Sequence, residues 1–309
     1  MKVIDKRVLR GVWTIMAAFC AHLLAAQQQP EYTQYMYNTM LINPAYAGSS
    51  GPFEASLLHR SQWVGIEGAP KTQSFGMHGK LGKSVGLGLN ALNDRIGPSS
   101  QFAVNAAFAY HLVTGKETRL ALGLNAGLDV LNVNWSKGKY YGPNDVILND
   151  NINEVRPLMG AGAYFYGDKW YVGLSAPNLL ALNSYDPGEE VVFQRRNHYY
   201  FMGGYVFGLS DQLLLKPAIL ATVVEGAPIS LDISANFLFM EKFSFGVAHR
   251  ITDSVSALVG LQLAKSFFVG YAYDYSVSKL NKYNDGSHEI ILKYALSHKN
   301  DKARSPRFF

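Results

Sequence analysis

The stretch "TRLALGLNAGLDVL" (residues 118–131) decides the fold of this chain. Its larger apolar residues recur at every second position and form one face, made of Leu120, Leu122, Leu124, Ala126, Leu128 and Val130. The other face carries small, polar or charged residues, namely Arg119, Ala121, Gly123, Asn125, Gly127 and Asp129. A period of two is that of a β-strand, because successive side chains point to opposite sides of the sheet. The stretch therefore predicts a strand with two unlike faces.

The same alternation recurs along the chain and predicts about fourteen strands of roughly ten residues, a length and an even number typical of outer-membrane barrels. The predicted strands begin near Phe53, Lys71, Ser84, Gln101, Thr118, Val155, Lys169, Asn197, Leu213, Ile229, Phe243, Val255, Phe267 and Ser287. A soluble β-sandwich also alternates, so alternation alone does not choose between the two architectures.

The connections favour the barrel over the sandwich. Longer loops are predicted after odd-numbered strands, at 64–70, 93–100, 132–154, 176–196 and 277–286, with short links near Glu225 and Asp253 as the two exceptions. Brief turns are predicted after even-numbered strands. Outer-membrane barrels have short turns on the periplasmic rim and long loops on the other. Aromatic residues also lie where interfacial girdles require them, at Tyr164, Tyr166, Trp170, Phe201, Tyr205, Phe207, Tyr271, Tyr273 and Tyr275. We therefore predict an all-β, transmembrane antiparallel outer-membrane β-barrel with both termini periplasmic.

The first residues have the layout of a secretory signal peptide. Basic residues precede an apolar run over 11–26 that ends in small residues, which is typical of a cleaved leader. The predicted organisation is a signal peptide at 1–26, an N-terminal periplasmic or plug segment at 27–52, a barrel at 53–297 and a basic tail at 298–309. Export through this leader and a barrel fold together predict an outer-membrane location.

The charge of the chain is concentrated at its two ends. The leader has four basic residues and Asp5, and the tail from Lys299 has four basic residues and Asp301, so each contributes +3 of the total of +5 and the body between them carries −1. A basic nucleic-acid surface on the folded body is therefore not predicted. The one cysteine, Cys20, lies in the leader, so no disulfide or thiolate metal site is expected in the mature chain. The sequence also shows no metal-ligand spacing and no phosphate-binding loop, so no cofactor is expected.

The small-residue faces of the strands are expected to line the lumen. Their charges are candidate lumen residues: Arg60, Arg119, Asp129, Asp232, Arg250 and Asp274. Glycines among them, such as Gly86, Gly123 and Gly270, would let another backbone approach the wall closely, or would simply relieve curvature. A barrel of this size can admit a plug, and we expect a lumen at least partly filled by protein.

Five segments carry a family resemblance: "QYMYNTMLINPAYAGS" (34–49), "RSQWVGIEGAPKTQS" (60–74), "LGLNALNDRIGP" (87–98), "GSHEIILKY" (286–294) and "SPRFF" (305–309). Together they resemble the PorP/SprF family of Bacteroidetes outer-membrane proteins. The resemblance implies a barrel of the type IX secretion and gliding motility system. It also implies as partners outer-membrane lipid, periplasmic components of that system, and secreted or surface-attached cargo with a C-terminal sorting domain.

The motifs supply candidate partner or plug residues: Asn43, Pro44, Ala45, Tyr46, Ala47, Gly48, Trp63, Asn93, Asp94, Arg307, Phe308 and Phe309. Placed on the predicted topology, the segment at 34–51 lies on the periplasmic rim, with a path under or into the lumen. The sequence leaves open whether this segment is a plug or a docking strip. It also leaves open that each Asn, Asp, Gly and Pro of the motifs serves only to form a turn.

Two other functions are compatible with a barrel. A passive porin or uptake channel would have an open, polar lumen. A barrel hydrolase would need a nucleophile and a base, and His59, His111, His198 and His249 are available. No recognisable catalytic motif accompanies these histidines, so we expect a non-enzymatic protein that binds partners.

Overall fold

A computed structural model describes residues 32–135, 151–180, 183–185, 191–194 and 196–296. The strands in these ranges are β1 Phe53–Ser61, β2 Lys71–Leu81, β3 Val85–Ile96, β4 Ser99–Val113, β5 Arg119–Val133, β6 Ile152–Tyr166, β7 Trp170–Ala176, β8 Asn183–Tyr185, β9 Val191–Gln194, β10 His198–Tyr205, β11 Phe207–Ser210, β12 Leu213–Val224, β13 Ser230–Phe239, β14 Phe243–Arg250, β15 Ser254–Ala264, β16 Phe267–Ser276 and β17 Ser287–Leu296. Within the described ranges, no helix is both long and apolar enough to cross a membrane.

The strands close into an antiparallel barrel. Neighbours in sequence pair with each other from β1 to β7, β1 pairs with β17, and β10 pairs with both β7 and β12. Because β10 and β11 are two halves of one interrupted strand, the barrel has 14 strands. Closure leaves no open sheet edge at the seam, as a membrane-spanning sheet requires. The fourteen predicted strand starts agree with the structure to within 3 residues, so the predicted barrel is confirmed.

The two faces of the strands divide as the alternation predicts. On β5, Leu122, Leu124 and Leu128 are exposed on the outside, whereas Asn125 and Asp129 are buried inside. The same division recurs on β17, whose register with β1 and β16 places Ile290 and Leu292 outside. An apolar band on the outside of a closed barrel is the surface that lipid covers.

One part of the loop prediction is wrong. No long loop lies at 93–100, because β3 continues to Ile96 and β4 begins at Ser99. Only Gly97 and Pro98 connect them, and the positive φ of Gly97, 54°, permits this tight turn. The long connection predicted at 176–196 is present and contains a small antiparallel hairpin, β8–β9.

The interruption between β10 and β11 has a local cause. Val206 leaves the ladder, is buried, and donates its backbone N–H to the Lys169 carbonyl at 2.7 Å. In the register of β12, the residues facing this break are Lys216 and Pro217. Proline has no N–H to donate to a neighbouring strand, so continuous pairing fails at this position.

Candidate functional site

Residues 32–48, here called the plug, lie inside the barrel. They form three short 3-10 turns, Tyr35–Tyr37, Thr39–Leu41 and Pro44–Tyr46. Asn43 caps the third turn, since its side-chain oxygen accepts from the Ala45 N–H at 3.0 Å, and proline suits the first position of such a turn. All plug residues are buried except Leu41, which is half-buried. Such burial cannot come from the plug's own short turns, so the barrel wall provides it.

The plug runs along the lumen, so of the two paths that the sequence left open for 34–51, under or into the lumen from the rim, the structure has the path into the lumen. Its first residues contact Arg60, near the end of β1 that leads into a long loop. Its last residue, Gly48, lies against Gly86 and Gly79, next to the short turn between β2 and β3. The chain then turns back and enters β1 at the short-turn rim. The plug therefore spans the interior from one end to the other.

The motif at 43–48 is tied to several strands by hydrogen bonds. Asn43 Nδ2 donates to the Ala163 carbonyl of β6 at 3.1 Å, and the Ala47 carbonyl accepts from His111 Nε2 of β4 at 2.8 Å. The Gly48 N–H donates to His78 Nδ1 of β2 at 3.2 Å. These bonds satisfy backbone groups that would otherwise be buried unpaired. The motif is therefore held by the wall rather than offered to a partner at the rim.

Glycines in the wall make room for the plug. A side chain at Gly86 would overlap the Ala47 carbonyl, and one at Gly123 would overlap the backbone of Ala45. Gly270 likewise faces the side chain of Gln34. Other inward glycines, such as Gly127, instead face neighbouring strands. Close approach of the plug accounts for the first three positions, by its backbone at Gly86 and Gly123 and by a side chain at Gly270.

Replacing Gly86 with valine is expected to destabilise the barrel by about 1–3 kcal/mol, because the new side chain displaces the plug from a packed site. The measurement is the urea concentration at the midpoint of unfolding, with heat-modifiable migration on gels as the readout of the folded barrel. Gly208→Val is the matched control, since an added Cβ there meets its nearest neighbour, Leu214, only at 4.0 Å. Equal stability of the two variants would contradict a plug seated against Gly86.

The start of the plug is held by a buried ionic cluster, here called the clamp: Arg60, Asp274, Glu289 and Thr33. Arg60 Nη1 lies 2.5 Å from Asp274 Oδ2 and 3.1 Å from Glu289 Oε2. The Glu289 carboxylate also accepts the backbone N–H groups of Thr33, at 3.0 Å, and Gln34, at 2.8 Å. The Thr33 hydroxyl donates to Asp274 at 2.7 Å. One side chain, Glu289, thus joins the wall charge of Arg60 to the plug backbone.

The remaining candidate lumen charges fall into separate groups. Arg250 Nε lies 2.8 Å from Asp232 Oδ1 across β13 and β14. Asp129, fully buried, lies 3.3 Å from Arg156 Nη2 across β5 and β6. Arg119 belongs to the inward-facing row of β5, but it is the first residue of that strand and is exposed. Five of the six candidates are therefore buried, in three ionic groups, and Arg119 lies at the mouth.

Sequence reasoning missed several buried charged residues. These are Glu54, Arg156, Lys216, Glu289 and Lys293. Glu54 lies 2.9 Å from Lys293 and 3.6 Å from His78. The sequence signal that could have found them is strand alternation. In β17, Glu289 and Lys293 lie on the face opposite to that of Ile290 and Leu292, which is the apolar face.

Aromatic rings complete the packing of the plug. Tyr46 meets His78 and Tyr164 edge-on, with ring centroids 5.3 and 5.5 Å apart. Tyr37 lies 4.8 Å from Phe268, and burial raises the pKa of its hydroxyl above the usual range. Tyr164 and Tyr166 were predicted to be girdle residues, but both are buried in the lumen. This prediction was wrong, because Phe165 between them takes the outward position on β6.

Two loops at the opposite rim from the short turns form a second feature, here called the loop platform, made of residues 62–70 and 277–286. They are joined by reciprocal backbone bonds, from Val64 N–H to Gly286 O and from Asp285 N–H to Val64 O, both 2.8 Å long. Trp63, with a φ of 47°, donates its N–H to Ser287 Oγ at 3.1 Å. Tyr283 is 73% exposed on this platform. The bonds hold an exposed aromatic residue on an ordered surface.

The other sequence candidates lie apart from each other. Asn93 points outside, whereas Asp94 is buried and accepts from Thr72 Oγ1 at 2.6 Å. Arg307, Phe308 and Phe309 lie outside the described residues. Among the described residues, no group of three or more His, Cys, Asp and Glu side chains could hold a metal ion.

The four histidines considered for catalysis occupy separate places. His111 contacts the plug, while His198 Nδ1 and His249 Nδ1 lie 3.0 Å from the carbonyls of Arg196 and Ser254. His59 faces outside, 3.2 Å from Ser61 Oγ. The structure does not bring any two of them together in one site.

The family model of the type IX secretion system membrane protein PorP/SprF matches residues 24–294 of the chain. The chain belongs to the PorP/SprF family. The match covers the sequence of the whole plug and of nearly all of the barrel. It confirms the resemblance carried by the motifs.

Several solved membrane proteins are similar to this PorP/SprF protein in fold. The outer membrane protein Omp33 of Acinetobacter baumannii has a TM-score of 0.46 at 10% identity, over 80% of this chain and 100% of that one. A FadL homologue of Pseudomonas aeruginosa has 0.47 at 12%, over 86% and 93%. The monoaromatic hydrocarbon channel CymD has 0.48 at 11%, over 85% and 93%. No curated protein matches the chain in sequence.

Proposed function

We propose that this PorP/SprF protein is a non-enzymatic outer-membrane barrel of the type IX secretion and gliding machinery that binds partner proteins and supports export or surface attachment of secreted cargo. The observation that carries the proposal is the plug, which is bonded to the wall from the clamp at one end to His78 and His111 at the other. A lumen filled in this way leaves the rims as the surfaces that can act.

The orientation follows from the predicted topology. Short turns face the periplasm in outer-membrane barrels, so the rim where β1 begins and β17 ends is periplasmic, and the loop platform faces outward from the cell. Leu296, the last residue of β17, then lies at the periplasmic rim, which is the proposed contact side for the secretion components. Cargo with a C-terminal sorting domain is the proposed partner of the loop platform.

The loop platform has the properties of a protein contact surface. Its exposed residues include Val64, Leu280 and Tyr283, and exposed apolar and aromatic groups on an ordered surface mark interaction sites. Truncating a tyrosine at the centre of an interface often costs more than 2 kcal/mol. Tyr283 is therefore the residue whose loss should weaken partner binding most.

The experiment is a pull-down from detergent-solubilised outer membrane with the tagged full chain. Tyr283→Ala is expected to reduce bound partner by about tenfold or more, while Tyr110→Ala, an exposed tyrosine on the outer face of β4, leaves it unchanged. Equal recovery with both variants would remove the platform from the proposal. Steady current through the intact protein in planar bilayers would favour a passive porin instead.

A further inference from the structure

Two cations face each other at the outside of the barrel, at the start of β2 and the end of β3, on the same rim as the loop platform. Lys71 lies directly opposite Arg95 in the register of the two strands, and both side chains are exposed. The next residues along, Thr72 and Asp94, are buried and bonded to each other inside the barrel. Because side chains alternate along a strand, Lys71 and Arg95 point away from the lumen.

Within the described residues, this pair of cations has no counter-ion. Like charges directly opposite each other across a sheet are destabilising unless an anion lies between them. In the part of the chain that the structure describes, no carboxylate forms an ion pair with Lys71 or Arg95. An external anion is therefore the partner that this pair fits.

The side chains next to the pair show at what depth it lies. The adjacent outward row, one step toward the middle of the barrel, is His59, Gln73 and Asn93, and Asn93 Nδ2 donates to Gln73 Oε1 at 3.3 Å. The row beyond it is apolar and consists of Leu57, Phe75 and Ala91. Polar residues thus meet the apolar band at this point. Lipid head groups lie at the same boundary in a bilayer.

We propose that Lys71, Arg95, His59, Gln73 and Asn93, here called the basic patch, bind the phosphate of an anionic lipid in the leaflet on the long-loop side. The Arg95 guanidinium can donate two parallel hydrogen bonds to phosphate oxygens, and the Lys71 ammonium adds a point charge. The acyl chains of the same lipid lie along Leu57 and Phe75, both exposed on the outer wall. Phosphate and tail are recognised by adjoining surfaces, so the ligand is a lipid.

The test is native mass spectrometry of the detergent-purified full chain titrated with phosphatidylglycerol and, in parallel, phosphatidylcholine. The intact protein is expected to retain phosphatidylglycerol in preference to phosphatidylcholine. Lys71→Gln combined with Arg95→Gln should weaken its binding roughly twentyfold, about fivefold per cation. Lys279→Gln with Lys282→Gln is the matched control, because it removes the same charge from exposed positions at the same rim and should leave binding unchanged.

Four outcomes would overturn the proposal. Equal retention of the two lipids would show that the patch has no preference for an anionic head group. An equal loss in both double variants would show an effect of net charge alone. Complete displacement of phosphatidylglycerol by millimolar inorganic phosphate would identify a free-anion site. Loss of a bound acidic protein from the Lys71→Gln, Arg95→Gln variant, with its lipid selectivity intact, would identify a protein site. Heat-modifiable migration of each variant shows that the barrel is folded.

Discussion

Deleting residues 32–48 is expected to convert a closed barrel into a conducting pore. The plug contacts strands around most of the barrel, including β4, β6 and β17, and it occupies the interior that a 14-stranded wall encloses. A barrel of this size leaves an aqueous channel unless protein fills it. In planar bilayers the intact protein should show no steady current, and the deletion variant should show discrete channel openings.

The control is a variant that lacks a segment elsewhere, the exposed turn Lys279–Lys282. It should stay closed, because this turn does not contribute to the lumen. Both variants must show heat-modifiable migration before their currents are compared. A folded deletion variant that remains closed would contradict the assignment of residues 32–48 as the plug.

Replacing Arg60 with methionine is expected to cause the largest loss of stability of any single substitution considered, about 3–5 kcal/mol. The change leaves the buried carboxylates of Asp274 and Glu289 without their shared cation. Breaking a buried ion pair by removing one partner costs more than the pair itself contributes, because the other charge stays buried and uncompensated. The measurement is the free energy of unfolding from urea titration in lipid vesicles.

Two further variants separate this effect from a loss of packing. Arg119→Met removes an exposed arginine from the barrel mouth and should change stability by less than about 0.5 kcal/mol. Adding Glu289→Gln to Arg60→Met should restore part of the lost stability, since one stranded charge disappears and the amide oxygen can still accept one of the two plug N–H groups. An Arg60→Met variant as stable as the intact protein would contradict a clamp at the start of the plug.

The clamp also explains why charges are kept inside a membrane barrel at all. Burying two carboxylates is costly unless hydrogen bonds satisfy them. Here the N–H groups of Thr33 and Gln34 supply those bonds to Glu289, so the ions fix the position of the plug. Loss of the clamp should therefore loosen the plug as well as weaken the wall.

The sequence by itself determined the barrel, its strand number and the outward face of strands such as β5 and β17, but not that of β6. These follow from alternation within single strands, which is a local property of about ten residues, and the predicted starts at Phe53, Lys71, Leu213, Phe243 and Ser287 are those of the structure. The predictions failed where pairing overrode local turn signals. Asn93–Ile96 look like loop residues, yet all four pair with β4.

Only the tertiary structure decided what fills the lumen. Parity indicated that Arg60 and Asp274 face inward, but their pairing joins residues separated by 214 positions in the sequence. The path of "NPAYAG" was open for the same reason, since its short turns become stable only when His78, His111 and Gly86 surround them. Strand alternation records which face is buried, whereas the plug's position depends on contacts between distant strands that exist only after the barrel closes.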